Sequence, residues 1–93
     1  VLKFDRLEIN PVNYEVKVDG TIINLAKKEF KLLLMLASKP GRVFLRQEIL
    51  AQIWGHDVIV GDRTIDVHIR KIRQKLGIDC ITTLKGVGYK FEL

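Results

Sequence analysis

The stretch "DRTIDVHIRKIRQKLG", Asp62 to Gly77, carries five cationic side chains and, after its first residue, a single carboxylate. At about 100° per residue, Ile65, Ile69, Ile72 and Leu76 fall on one side of a helix, which makes that side a core stripe. Arg63, Val67, Arg70 and Gln74 fall on the opposite side, flanked by Asp66 and Lys71. Asp62 is the expected N-cap, its carboxylate accepting from the free N–H groups of the first turn. A helix that is apolar inside and cationic outside needs both a core to cover and a reason to display charge.

Upstream of it, "RQEILAQIWG" (46–55) reads as a second helix with Ile49, Leu50, Ile53 and Trp54 facing inward, and "HDVIVG" (56–61) as the connecting loop. Val58, Ile59 and Val60 are expected to fold back over Trp54. "RVF" (42–44) is a short strand candidate. "AKKEFKLLLMLASKPG" (26–41) is apolar on almost every side, which marks it as the central helix, ended by Pro40-Gly41. Before it, alternating runs at Leu2–Phe4, Leu7–Ile9, Tyr14–Val18 and Ile22–Leu25 form an antiparallel meander, with Asp19-Gly20 as its strongest hairpin signal. After the cationic helix, "CITTLKGVGYKFEL" (80–93) is a β-hairpin around Lys85-Gly86-Val87-Gly88, with glycines where positive φ is expected. The predicted order is four strands, helix, short strand, helix, helix, hairpin, an α+β arrangement.

At 93 residues the sequence is read as one domain, residues 1–93, with a thin core that needs most of its long apolar residues inside. No apolar run approaches the roughly 18 residues a membrane span requires, and no secretory or lipid signal is present. Cys80 is the only cysteine, so no internal disulfide forms and an intracellular, cytoplasmic location is expected, with Cys80 a small core residue. The net charge of +5 points to a polyanionic partner only if it is concentrated, and it is: Arg63, Arg70, Lys71, Arg73 and Lys75 face only Asp66 between residues 63 and 75.

Two helices joined by a connector, the second cationic outside, are the parts of a helix-turn-helix whose recognition helix lies in the major groove, and a basic-tipped hairpin is what a winged version adds. The segments "LAKKEFKLL" (25–33), "GRVFLRQEILAQIWG" (41–55), "RTIDVHIRKIRQKLG" (63–77) and "ITTLKGVGYKF" (81–91) together resemble the OmpR/PhoB-type winged-helix domain, the DNA-binding half of many bacterial two-component response regulators. The resemblance implies a winged helix-turn-helix with an N-terminal four-stranded antiparallel sheet, three helices and a C-terminal wing. It implies sequence-specific binding to double-stranded DNA and transcriptional regulation as the output domain of a phosphorelay. It further implies that the hairpin tip reaches the minor groove and that the loop His56, Asp57, Val58, Ile59, Val60 and Gly61 is placed to touch RNA polymerase. A lone domain of this size is expected to be a monomer off DNA, and the resemblance implies a tandem pair on promoter direct repeats. The sequence starts at Val1 without a methionine, so it is expected to be the C-terminal part of a longer regulator whose receiver domain lies outside it.

Residue by residue, Arg63, Arg70 and Arg73 are candidates to neutralise phosphates, while Val67, Arg70 and Lys71 are placed for thymine methyls and guanine edges. Thr64, His68 and Gln74 complete the helix's candidate DNA-binding set. Asp66 either accepts from a cytosine amine or orients Arg70 four residues on. In the hairpin, Lys85 and Gly86 are the minor-groove candidates, and Thr82 and Thr83 the phosphate ones. Three positions depart from the family's pattern. Ala26 and Leu45 stand where Thr or Ser usually caps the first two helices, losing roughly 1 kcal/mol each. Lys85 replaces the more usual Arg, and an ammonium enters a narrow groove less readily than a guanidinium.

His56 with Asp57 and His68 with Asp66 lack the close spacing of a metal or acid–base site, so neither catalysis, metal nor cofactor is expected. The competing class is a winged helix used only for protein contacts, its helix charge serving solubility. Such a module would show no steep salt dependence toward a DNA duplex.

Overall fold

The computed structural model describes residues 1–55 and 63–93. Four short strands come first: β1 (Leu2–Phe4), β2 (Leu7–Asn10), β3 (Glu15–Val18) and β4 (Thr21–Ile23), antiparallel in the order β1-β2-β3-β4. Alternation in β2 and β3 puts Leu7, Ile9, Val16 and Val18 on the buried face. The Asp19-Gly20 hairpin forms as read, with both residues at positive φ (52° and 81°) and Val18 opposite Thr21. Asp19 is also gripped by Arg6, whose Nη2 lies 2.6 Å from Oδ2. Tyr14 leaves the strand that the alternation gave it. Its φ of 53° belongs to the turn, and its ring stacks on Phe30 at 4.7 Å.

Helix α1 (Lys27–Ala37) buries Phe30, Leu32, Leu33, Leu36 and Ala37, with Leu34 and Met35 half-covered at its rim. Each fully buried side chain of this size contributes about 1.5–3 kcal/mol. The helix stops before Pro40, and the chain turns at Gly41 (φ 83°), whose N–H donates to the Phe91 carbonyl at 2.8 Å. Ala26 supplies no side-chain cap, but half of a capping box survives: its N–H donates to Glu29 Oε1 at 3.0 Å. Leu45 repeats the device with Glu48 Oε1 at 3.0 Å.

The short strand predicted over 42–44 starts two residues later and ends one later, as β5 (Phe44–Leu45), and leads directly into α2 (Arg46–Ile49). The second helix is not regular to its end. Over Leu50–Trp54 it widens into a π-helical turn, closed by the Gly55 N–H donating to the Leu50 carbonyl at 3.0 Å. Ile49 and Trp54 are buried from this segment, while Leu50 and Ile53 sit at the core's edge.

Helix α3 (Thr64–Leu76) follows, and its stripe is the predicted one: Ile65, Ile69, Ile72 and Leu76 are all buried. The helix begins at Thr64, with Arg63 at the capping position and no side-chain cap from it. Asp62 itself, like His56 to Gly61 and the expected cover over Trp54, lies outside the described residues. Gly77, left-handed at φ 69°, ends the helix.

The hairpin of β6 (Ile81–Leu84) and β7 (Gly88–Phe91) is completed by β5, giving a second sheet in the order β5-β7-β6. Of the two hairpin glycines, only Gly86 has positive φ (75°). Gly88 is required for another reason: a Cβ there would lie 2.0 Å from the Phe44 carbonyl oxygen, so only glycine lets β5 approach β7. Phe91 packs at 4.7 Å against Phe4, joining the second sheet to the first. Cys80 is buried, and burial pushes its thiol up to about 11, in keeping with a core role.

Candidate nucleic-acid interface

Helix α3 has four sides, and each does something different. Its core side is the isoleucine stripe. Opposite it, Arg63, Val67, Arg70, Lys71 and Gln74 are exposed, Val67 to 46%. The Arg63, Arg70 and Lys71 side chains make no hydrogen bond or ion pair with another described residue, and neither does Lys85 at the hairpin tip. Among the described residues these are the expected cations with no hydrogen-bonded or ion-paired partner.

One flank of α3 meets α1 and the π turn. His68 lies there, half-buried, its ring edge-on to Trp54 at 4.9 Å. Its Nδ1 is 2.9 Å from the Thr64 carbonyl, which fixes the proton on Nδ1 because only a donor can face a carbonyl. Lys75 on the same flank pairs with Glu29 at 2.7 Å, and Lys28 places its ammonium 5.5 Å above the Trp54 ring.

The other flank meets the hairpin. Asp66 and Arg73 are seven residues apart, which is two turns, so both point the same way. Asp66 does not orient Arg70. Its Oδ1 accepts from Arg46 Nη1 at 2.9 Å and from the Tyr89 hydroxyl, because the nearest donors come from α2 and β7 and not from its own helix. The bonds from Arg46 and then Tyr89 hold the Asp66 carboxyl below its ordinary range. Burial, and then the bond to Asp66, push the Tyr89 phenol above its own. Arg73 Nη2 donates to the Ile81 carbonyl and to Thr83 Oγ1, each at 2.7 Å. Thr82 Oγ1 donates to Glu92 Oε1 at 2.7 Å.

Five of the expected contact residues, Asp66, His68, Arg73, Thr82 and Thr83, are thus engaged within the protein. Between α3 and the hairpin runs an open groove of about 430 Å³, bordered by Arg70, Gln74, Lys85 and Gly86, with Arg46 and Tyr89 deeper in. Arg70 and Gln74 of the helix's outer face and the wing tip therefore share one concave surface. Arg46, Tyr89 and Glu29 were not among the residues singled out by sequence. Glu29 had a visible signal, as the one carboxylate in a helix otherwise made of apolar residues and lysines. Tyr89 had a weaker one in the "GVGY" that ends the hairpin turn.

The family described as "Transcriptional regulatory protein, C terminal" matches residues 20–91. The heme response regulator HssR of Staphylococcus aureus is 41% identical over 90 residues, which cover 92% of this chain and 40% of HssR. The chain thus spans about two-fifths of the length of the curated relatives it matches. Among solved structures, the DNA-binding domain of Klebsiella pneumoniae RstA, in complex with the RstA box, superposes with a TM-score of 0.87 at 31% identity, covering 98% of this chain and 95% of that one. The Thermotoga maritima response regulator DrrB, an OmpR/PhoB homologue, gives 0.91 at 34% identity over 99% of this chain and 44% of its own. Fold, family match and relatives agree, and the chain belongs to the C-terminal domains of transcriptional regulatory proteins, the OmpR/PhoB-type winged-helix DNA-binding domains, which are regulators and not enzymes.

Proposed function

We propose that residues 1–93 form a single winged-helix unit that reads double-stranded DNA with the outer face of α3 in the major groove and the wing tip in the adjacent minor groove. The observation that carries this reading is the single concave surface on which Arg70 of α3 and Lys85 of the wing both lie without an ionic partner among the described residues. Arg63 at the helix start takes a phosphate. Val67 and Lys71, four residues apart on the exposed side, meet base edges, with Gln74 beyond them. Thr64 and His68 lie at the edge of this face, and Gly86 gives the tip its tight turn.

The complex RstA forms with its box, and the length of HssR and DrrB, support the wider reading. In it the chain is the output part of a cytoplasmic phosphorelay response regulator, joined to a receiver domain and monomeric until two copies bind promoter direct repeats. The segment 56–61 is the polymerase-contact candidate.

In vitro selection of bound duplexes tests the reading. Selected sites should be direct repeats about one helical turn apart. Arg63→Ala should weaken selected and random duplexes alike, because a phosphate contact carries no sequence information. Val67→Ala and Lys71→Ala should cost about 1–3 kcal/mol on the selected site and little on random DNA. Equal losses from all three on both duplexes would overturn the assignment of α3 as the reader.

A further inference from the structure

Two polar links cross from α3 to the C-terminal sheet, and both start from residues on the same flank of the helix. In the first, a single oxygen, Asp66 Oδ1, takes hydrogen bonds from Arg46, which directly follows β5, and from Tyr89 in β7. In the second, Arg73 Nη2 places its two hydrogens on the Ile81 carbonyl and Thr83 Oγ1 of β6. Both strands of the hairpin, β7 through Tyr89 and β6 through Ile81 and Thr83, are thus tied to one rigid helix at points two turns apart, with the start of α2 joined to the first point through Arg46. Two attachments along an axis fix an angle as well as a distance, which one attachment does not. A two-stranded hairpin extending past a sheet is otherwise free to hinge.

We propose that Asp66 and Arg73 are positioning residues that clamp the wing at a set angle to α3, so that the major-groove face and Lys85 engage DNA as one unit and the protein reads the separation between the two grooves. The inference rests on the DNA-reading assignment above. It assigns neither residue a base or phosphate contact, although both lie on the helix that carries those contacts. Neither lies on the outer face of Arg63, Val67 and Gln74. Arg73 has given one guanidinium nitrogen wholly to the hairpin, and Asp66 carries the wrong sign for phosphate.

The sign of the Asp66 charge makes a sharp test. Removing a negative charge beside DNA strengthens binding to every duplex by simple electrostatics. Loss of a clamp weakens the selected site instead.

Affinities of the 93-residue chain and of Asp66→Asn, Arg73→Met and Tyr89→Phe are measured on selected and random duplexes, each with and without Lys85→Ala. The variants should lose about tenfold or more on the selected duplex and less than about threefold on random DNA, with the salt slope on random DNA unchanged. Lys85→Ala should lower selected-site affinity about tenfold in the wild type and less than about threefold in the clamp variants, because a wing held at the wrong angle has no contact left to lose. Tyr89→Phe removes one hydroxyl and keeps the ring, so it carries the test if a charge variant does not fold. Losses from Lys85→Ala that are the same in every background overturn the clamp. So does an Arg73→Met loss that is equal on both duplexes with a slope shallower by about one, which marks a direct phosphate contact. A relaxed preference at one base pair alone in Asp66→Asn marks a base reader and likewise overturns it. A wild type that binds no duplex overturns the DNA reading itself, a different result from wild-type binding with additive variants.

Discussion

Lys75 Nζ lies 2.7 Å from Glu29 Oε1, tying the last turn of α3 to the first turn of α1 across 46 residues of sequence. The same oxygen accepts the Ala26 N–H at 3.0 Å, so one atom both closes a helix end and joins two helices. Glu29 is only 3% exposed. Burial pushes its pKa up, but the bonds from Lys75 and then from Ala26 outweigh burial and leave the carboxyl below its ordinary value.

That shift has a sign that can be measured. A carboxyl whose folded pKa lies below its unfolded one adds stability above the unfolded value, and the addition disappears as pH falls through the folded value. Urea unfolding of the wild type and Glu29→Gln should therefore differ most at neutral pH and converge in acid. Lys75→Met should cost roughly 1–3 kcal/mol at neutral pH, since it strands a buried carboxylate, and less in acid where Glu29 is protonated. A gap that widens in acid would mean that Glu29 is not held charged.

The two hairpin glycines should respond differently to alanine. At Gly86 the backbone is left-handed and the space around a Cβ is open, so Gly86→Ala should cost about 1 kcal/mol and keep the wing. At Gly88 a Cβ meets the Phe44 carbonyl at 2.0 Å, so Gly88→Ala should separate β5 from β7. Hydrogen exchange at the backbone amides of the β5–β7 ladder reads this directly: protection retained in Gly86→Ala and lost in Gly88→Ala.

Val67 and Ile69 are two residues apart on one helix with opposite duties. Ile69→Ala should destabilise by about 2–5 kcal/mol in chemical unfolding, because the side chain is fully buried and its removal leaves a cavity. Val67→Ala should stay within about 0.5 kcal/mol of wild type, its side chain being nearly half exposed.

These contrasts follow what was and was not legible in the sequence. Periodicity carried the isoleucine stripe of α3, the alternation of β2 and β3 and the element order, because each depends on neighbours within a turn or a strand. The partner of Asp66 was misread because the local rule offers Arg70 four residues on, whereas the fold brings Arg46 and Tyr89 closer from 20 and 23 residues away. Arg73 and Thr83 were legible as polar residues on the right elements, but not as each other's partners. Gly88 was read as a turn glycine, although its constraint is a strand crossing from residue 44, outside any local window. The π turn at Leu50–Trp54 left no mark in an apolar pattern that a regular helix would satisfy equally well.

The central claim is that the outer face of α3 meets DNA with cations that have no hydrogen-bonded or ion-paired partner among the described residues, Arg63 and Arg70 on phosphates, and the salt dependence of binding tests it most directly. With Arg63 and Arg70 as phosphate contacts at about −0.9 each, log affinity for the selected duplex should fall against log salt with a slope of about −2 or steeper. Arg70→Glu with Lys71→Glu should abolish binding and leave the urea midpoint unchanged, since neither side chain has a partner among the described residues to lose. A slope near zero, or binding that survives the double charge reversal, would contradict the account.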